Sequence, residues 1–186
     1  MRIITGKARG ARLKAPKGLS TRPTSDRVKE SLFSILGGRV ARRRVLDLFA
    51  GTGSLGLEAL SRGAADAVFV DRATGNVLRE NAEHTRLAET ARVVRGDVFA
   101  ALSRLSDEGE QFDLVFCDPP YGRGLWERVL TALDGLPLLS ETALVVVECG
   151  EDEKEVPPLS RLSLVREERY GHTTRMRIFA MREDEV

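Results

Sequence analysis
The chain has 186 residues, 42% of them apolar and 31% charged, with a formal net charge of +1. That length suits one compact enzyme-sized unit with a full core, and no run approaches the ~18 apolar residues of a membrane span. The basic start lacks the apolar core of a signal peptide, so a cytoplasmic protein is expected.

The small net charge conceals a division. Residues 1–44 hold 13 of the 29 Lys and Arg but only 2 of the 28 Asp and Glu, a net of +11. Residues 45–186 carry the compensating −10. A basic block on an acidic enzyme is an electrostatic footprint for a polyanion. Few aromatics accompany it, so phosphate contact is expected rather than base stacking. Lys7, Arg9, Arg12, Lys14, Arg22 and Arg27 are the candidate RNA contacts. The expected division is a basic extension over residues 1–44, packed on a catalytic domain over residues 45–186.

Within the extension, Arg2-Ile3-Ile4 and Ala11-Arg12-Leu13 read as short strands joined by glycine turns. A helix follows, with Val28, Leu32, Ile35 and Leu36 on one face and Ser25 or Asp26 as its cap. Strand and helix then alternate: strand 44–49, helix 54–62, strand 67–70, helix 72–86, strand 91–95, helix 98–105, strand 112–117, helix 124–133, strand 142–148. Such alternation predicts an α/β fold with a parallel sheet and helices on both faces. Residues 161–168 and 175–181 alternate around Tyr170-Gly171-His172 as a closing hairpin. Glu151-Asp152-Glu153-Lys154-Glu155 reads as a solvated acidic loop, His84 as exposed, His172 as a turn residue and Trp126 as packing. Cys117 and Cys149, in apolar runs without C-x-x-C spacing, read as buried small side chains. No His, Cys or Asp cluster has metal-ligand spacing, so no metal is expected.

Four strand ends carry the chemistry. The run Val45-Leu46-Asp47-Leu48-Phe49-Ala50 leads into Gly51-Thr52-Gly53-Ser54-Leu55-Gly56, a G-x-G-x-x-G turn between strand and helix. Asp71 ends the next strand, about 20 residues on, where a carboxylate accepts from ribose hydroxyls. A dinucleotide would satisfy both features, but Asp47 just before the turn repels a pyrophosphate and favours a cationic ligand. Asp97, at a third strand end, suits an adenine amino group. S-adenosylmethionine has the amino acid end, ribose and adenine, without a phosphate, that these carboxylates match. Ala50, Gly51, Gly53, Arg72, Val98 and Asp118 complete the candidate cofactor-binding set.

The fourth strand end is Asp118-Pro119-Pro120-Tyr121, the candidate catalytic set. Two prolines cannot donate to a ladder, so the strand stops, and their fixed φ aims the carbonyls of Asp118 and Pro119. Two acceptors and an aromatic face at the carboxyl end of a strand suit a planar group bearing an exocyclic amine. The carboxylate and carbonyl take the N–H groups and the ring of Tyr121 stacks, its hydroxyl idle. From these residues alone, guanine N2, adenine N6 and a protein glutamine amide are all possible acceptors. A nicotinamide oxidoreductase and a non-catalytic RNA-binding assembly factor are the alternatives outside methyl transfer.

Taken together these motifs resemble a class I methyltransferase, and more narrowly the bacterial RsmD family of 16S rRNA guanine-N2 methyltransferases. The likeness runs through Arg2-Ile3-Ile4-Thr5-Gly6-Lys7-Ala8-Arg9-Gly10, Arg22-Pro23-Thr24-Ser25-Asp26-Arg27-Val28-Lys29-Glu30-Ser31-Leu32-Phe33, Asp47-Leu48-Phe49-Ala50-Gly51-Thr52-Gly53 and Asp118-Pro119-Pro120-Tyr121. The resemblance implies a Rossmann-like seven-stranded sheet of order 3-2-1-4-5-7-6, its last strand antiparallel. It also implies S-adenosylmethionine as donor and guanine N2 at position 966 as target. The implied partner is 16S rRNA within the small ribosomal subunit or its assembly intermediate, with the enzyme a monomer. Another RNA or DNA amino-methyltransferase is the nearest alternative.

Overall fold
The computed structural model describes residues 1–18 and 25–183; the expected contact Arg22 lies outside them. Seven strands form a mixed sheet of order β3-β2-β1-β4-β5-β7-β6, surrounded by helices. Two compact units are distinguished, Met1–Val98 and Phe99–Val186, and the expected boundary after residue 44 falls inside the first.

In the first unit, helix α1 (Asp26–Leu36) starts where Ser25 caps it, its side chain accepting from the Val28 N–H at 3.2 Å. It ends at Gly37, whose φ of +52° lets its N–H turn back to the Phe33 carbonyl. The buried stripe is Lys29, Leu32, Phe33 and Leu36, one step round from the expected face. A lysine can occupy that stripe because its amine is fully supplied with partners. Strands β1 (Arg44–Leu48), β2 (Asp66–Asp71) and β3 (Ala91–Arg95) pair in parallel, with Leu48 opposite Val70 and Asp71 opposite Arg95. Helices α2 (Ser54–Ser61) and α3 (Gly75–His84) connect them. Burying Val45, Leu46, Leu48, Leu57 and Phe69 almost completely provides the unit's main apolar stabilisation.

The amino-terminal segment is sewn onto this unit. Ile3 is fully buried, and the two expected strands reduce to a single antiparallel bridge between Arg2 and Arg12. Ile3, Gly10 and Leu13 N–H still bond across the two arms, to the carbonyls of Ala11, Ile3 and Met1. Other donors go elsewhere: Ile4 and Thr5 N–H to the Glu58 carboxylate at 2.8 and 3.1 Å, Ala8 N–H to Ser61 Oγ, Lys14 N–H to Asn81 Oδ1. Glu58 is itself 0% exposed and pairs with Lys29 at 3.3 Å and Arg62 at 2.9 Å. Lys29 also donates to the Arg2 carbonyl and Ser54 Oγ. Burial lowers the Lys29 pKa, and the Glu58 carboxylate pulls it back up.

The second unit holds helix α4 (Val98–Asp107, which begins on the boundary residue), β4 (Phe112–Cys117), α5 (Leu125–Gly135), β5 (Leu139–Gly150), β6 (Leu162–Tyr170) and β7 (Thr174–Met181). β4 and β5 are parallel; β7 lies antiparallel between β5 and β6. Trp126 is buried at 1% exposure, with the Arg177 guanidinium 5.0 Å from its ring centre. Cys117 and Cys149 are buried free thiols, and burial pushes the Cys149 thiol up to about 11. Among the described residues, no helix is long and apolar enough to cross a membrane.

The Glu58 cluster yields a stability prediction. Glu58→Ala strands a buried ammonium and two backbone amides, and removing one partner of a buried pair costs about 3–5 kcal/mol. Denaturant unfolding of the variant should show a loss of that size. A change within about 0.5 kcal/mol, the range of an ordinary surface substitution, would mean that the cluster does not hold the segment.

Candidate functional site
The first unit contains the glycine turn and three of the four carboxylates. The turn demands unusual backbone: Phe49, Gly51 and Gly53 have φ of +55°, +56° and +82°. A phenylalanine in the left-handed region is strained, and such strain concentrates at functional turns. The third glycine is fixed by a close approach. A Cβ on Gly56 would fall 2.3 Å from the Phe69 ring and 3.0 Å from Asp47 Oδ2.

Asp47 is 2% exposed, and its Oδ2 accepts the Gly56 N–H at 2.9 Å near the amino end of α2. Burial raises its pKa to about 8, against the pull of the Gly56 hydrogen bond, and the neighbouring Asp71 charge adds to the rise. Asp71 ends β2 half-buried. Its carboxylate accepts from Gly51 N–H at 3.0 Å, Ala73 N–H at 2.8 Å and Thr74 N–H at 3.0 Å. An ionised carboxylate has roughly four acceptor positions, so three are filled by this turn and capacity for one further donor remains. That is the chemistry a ribose hydroxyl requires. Asp97 is half-buried, with exposed Arg72 3.3 Å from it, while Val98 and Ala50 are buried. The donor set fits S-adenosylmethionine: acceptors, a strained glycine turn and a buried carboxyl next to it.

The basic residues Lys7, Arg9, Arg12, Lys14 and Arg27 are all exposed. Lys14 shares its charge with Glu80 at 2.9 Å. Asn81, fully buried on α3, bonds Lys14 through both N–H and carbonyl and donates to the Thr52 carbonyl in the glycine turn. Lys29 makes a parallel link from the Arg2 carbonyl to Ser54. Lys29 lies in a segment that carries the resemblance, but no local signature gives Lys29, Glu58 or Asn81 a role.

In the second unit, Asp118 follows β4 half-buried, Pro119 is buried, and Pro120 is exposed. Tyr121 is half-buried, and its hydroxyl donates to Glu148 Oε1 at 2.5 Å and lies 3.2 Å from Thr174 Oγ1. Burial raises the phenol pKa, and Glu148 raises it further. The expectation of an idle hydroxyl is therefore corrected, and Glu148 joins the residues that sequence missed. The acidic loop is corrected too. Glu151 pairs with Arg175 at 2.8 Å, and Glu153 accepts from Gly122 and Gly150 N–H at 3.0 and 2.6 Å. Among the described residues, no group of three or more His, Cys, Asp or Glu is arranged to hold a metal ion.

Asp47 produces a pH signature. Its ordinary pKa is 3.8 and its folded value about 8. Between those values the unfolded chain has released a proton that the folded chain keeps. The group's stabilising contribution is therefore complete below pH 3.8 and lost as pH rises toward 8. Asp47→Asn should melt above the wild type at pH 8, the gap closing toward pH 4, on a scale of about 2–4 °C per kcal/mol. A gap that stays constant or widens on acidification would contradict the buried protonated carboxyl.

A family model described as Conserved hypothetical protein 95 matches residues 1–179. The Ribosomal RNA small subunit methyltransferase D of Escherichia coli (strain K12) is 42% identical over 174 residues, covering 92% of this chain and 85% of that one. Its namesake in Haemophilus influenzae is 36% identical over 174 residues, covering 92% and 89%. A solved Escherichia coli structure is 41% identical with a TM-score of 0.83 over 97% of both chains. An RNA methyltransferase from Salinibacter ruber, solved with S-adenosyl-L-homocysteine, shares the fold at 17% identity, with a TM-score of 0.66 over 88% of this chain and 95% of that one. The chain belongs to the family of the bacterial small-subunit rRNA methyltransferases D.

Proposed function
We propose that this protein transfers a methyl group from S-adenosylmethionine to the exocyclic N2 of a guanine in 16S rRNA, the family's position 966. The observation that carries the reading is Asp118-Pro119-Pro120-Tyr121 directly after β4, in a chain of this family. The sheet order also weighs against the dinucleotide alternative. A doubly wound nicotinamide domain runs 3-2-1-4-5-6 in parallel, whereas here an antiparallel β7 separates β5 from β6.

The donor, when bound, supplies a methyl group already activated on a sulfonium. What remains for the chain is positioning. Asp71 and Asp97 accept from the donor's ribose and adenine, Asp47 faces its cationic end, and Gly51 and Gly53 let the backbone approach. Asp118 and the Pro119 carbonyl accept the two N–H groups of the target amine, which turns the nitrogen lone pair away from the ring. Asp118 then takes the proton that leaves when the N–C bond forms. Tyr121 stacks on the base, which must be unpaired or flipped to enter. Lys7, Arg9, Arg12, Lys14, Arg22 and Arg27 contact phosphates of the small subunit or its assembly intermediate, and the enzyme acts as a cytoplasmic monomer.

The deciding experiment incubates the protein with labelled donor and small subunits from a strain lacking this enzyme, then maps the modified nucleotide. Label on a guanine N2 of 16S rRNA is expected; label on an adenine, or in other RNA, would overturn the assignment. Asp118→Ala should keep donor affinity within a few fold while methyl transfer falls about 100-fold or more, the pattern of an interaction made only with the reacting amine.

The basic face is tested by salt. Each phosphate contact adds about −0.9 on duplex, or −0.7 on single strands, to the slope of log affinity against log salt. Neutralising Lys7, Arg9 and Arg12 together should flatten that slope by about 2–3 and leave donor affinity intact. Substitution is the right test here, because residues 2–14 are bonded into the first unit. An unchanged slope would remove this face from RNA binding.

A further inference from the structure
The loop after β4 carries two left-handed glycines, Gly122 at φ +72° and Gly124 at φ +63°. Such a backbone has little intrinsic preference for one conformation. The orientation of the Tyr121 ring must therefore be imposed from outside the loop. Three contacts impose it. Glu148, on β5 and 8% exposed, accepts the Tyr121 hydroxyl at 2.5 Å. Thr174, on β7 and 6% exposed, stands 3.2 Å from the same hydroxyl. Glu153 bridges Gly122 N–H and Gly150 N–H with its two oxygens, tying the residue after Tyr121 to the end of β5. The fit is close. A Cβ on Gly150 would lie 3.5 and 3.6 Å from Cδ2 and Cγ of the Tyr121 ring and 3.1 Å from Glu153 Oε2.

We propose that Glu148 and Glu153 are positioning residues for methyl transfer: Glu148 holds the Tyr121 side chain in one rotamer by anchoring its hydroxyl, and Glu153 sets the loop that carries it. The inference rests on the reading of Tyr121 as the surface on which the target base stacks. It assigns the hydroxyl a mechanical task and no proton transfer. A stacking side chain free to change rotamer is in place only part of the time, and small misplacements of a reacting group cost rate steeply. Both oxygens of Glu153 serve backbone amides, an arrangement that holds chain rather than ligand. A charge-assisted hydrogen bond to a mostly buried carboxylate is stronger than a neutral one, so Glu148 is the dominant anchor.

Two measurements test this. The chain has only two tyrosines, Tyr121 and Tyr170, so tyrosine labelled in the ring and at Cβ gives an NMR spectrum in which Tyr121 is resolved by substitution. In the wild type the couplings across its Cα–Cβ bond should report one side-chain rotamer. In Glu148→Ala they should average between rotamers as the hydroxyl is released, and Glu148→Gln, which keeps an acceptor oxygen, should restore the single rotamer. A single rotamer persisting in a folded Glu148→Ala would overturn the proposal, whatever the substrate.

The second measurement is single-turnover methyl transfer to small subunits from a strain lacking this enzyme, with donor affinity by calorimetry. Glu148→Ala and Tyr121→Phe should each slow transfer about tenfold, the lower end for losing a hydrogen bond to a charged group, with donor affinity unchanged. The double variant should be no slower than the worse single one, since both remove the same contact. Glu148→Gln should recover most of the rate. Losses that multiply, or Gln as damaging as Ala, would overturn the positioning role. A wild type that methylates no subunit RNA would instead defeat the functional reading, while the tyrosine couplings still decide the anchor.

Discussion
The first unit depends on one expensive interaction, the ion pair between Lys29 and Glu58, both side chains 0% exposed. Removing two charges from water costs more than their attraction returns unless every remaining donor and acceptor is supplied. Here they are. Lys29 gives its other protons to the Arg2 carbonyl and Ser54, and Glu58 takes Ile4 N–H, Thr5 N–H and Arg62 besides. The pair thus ties residues 2–5 of the cationic amino-terminal segment to α1 and α2. The charge repulsion of residues 1–44 is offset where the chain needs it, by a carboxylate delivered from α2.

The same device recurs. Asp71 collects three backbone N–H groups around the glycine turn. Asp134 does so for Ser160, Arg161 and Leu162. Partial burial works against ionised Asp134, but those three N–H groups hold its carboxyl below the usual range. Glu153 joins two glycines. Carboxylates satisfy loop amides that strands and helices leave over, which ties irregular segments to regular ones. Asp47, Glu58, Asp71, Asp134 and Glu153, within the acidic region after residue 44, thus serve the backbone.

This explains what could be read from the residues and what could not. β2 and β4 were legible because each is a short apolar run met by aspartate or proline, and β3 and β4 begin and end at the expected residues. Asp47, Asp71, Asp97 and Asp118 stood out as candidates because open sheets gather chemistry at strand carboxyl ends, and all four lie at or near the ends of β1 to β4. The order of the last three strands came from resemblance alone, since hydrophobic pattern carries no information about which neighbour a strand chooses. The expected hairpin at residues 2–13 keeps one bridge and three backbone bonds between its arms but extends no further, because Ile4, Thr5 and Ala8 give their N–H groups to Glu58 and Ser61. Glu148 and Glu153 were illegible for a related reason: a carboxylate in an acidic run looks solvated until the fold brings an amide or hydroxyl to it.

Two local costs meet at the turn after β1. Phe49 occupies a backbone region that bulky residues avoid, and Asp47 is a carboxyl kept largely protonated at neutral pH by burial. Neither improves stability, and a sequence selected for folding alone would discard both. Glycine in place of Phe49 would relieve the backbone, and asparagine in place of Asp47 would keep an acceptor for the Gly56 N–H without a buried acid. Local rules broken side by side at one turn mark where stability has been exchanged for something else. A carboxyl poised near neutrality is worth that exchange if a cation arrives beside it. An arriving cation favours the ionised form, so a cationic ligand binding beside Asp47 would displace its proton and bind more tightly as pH rises toward 8.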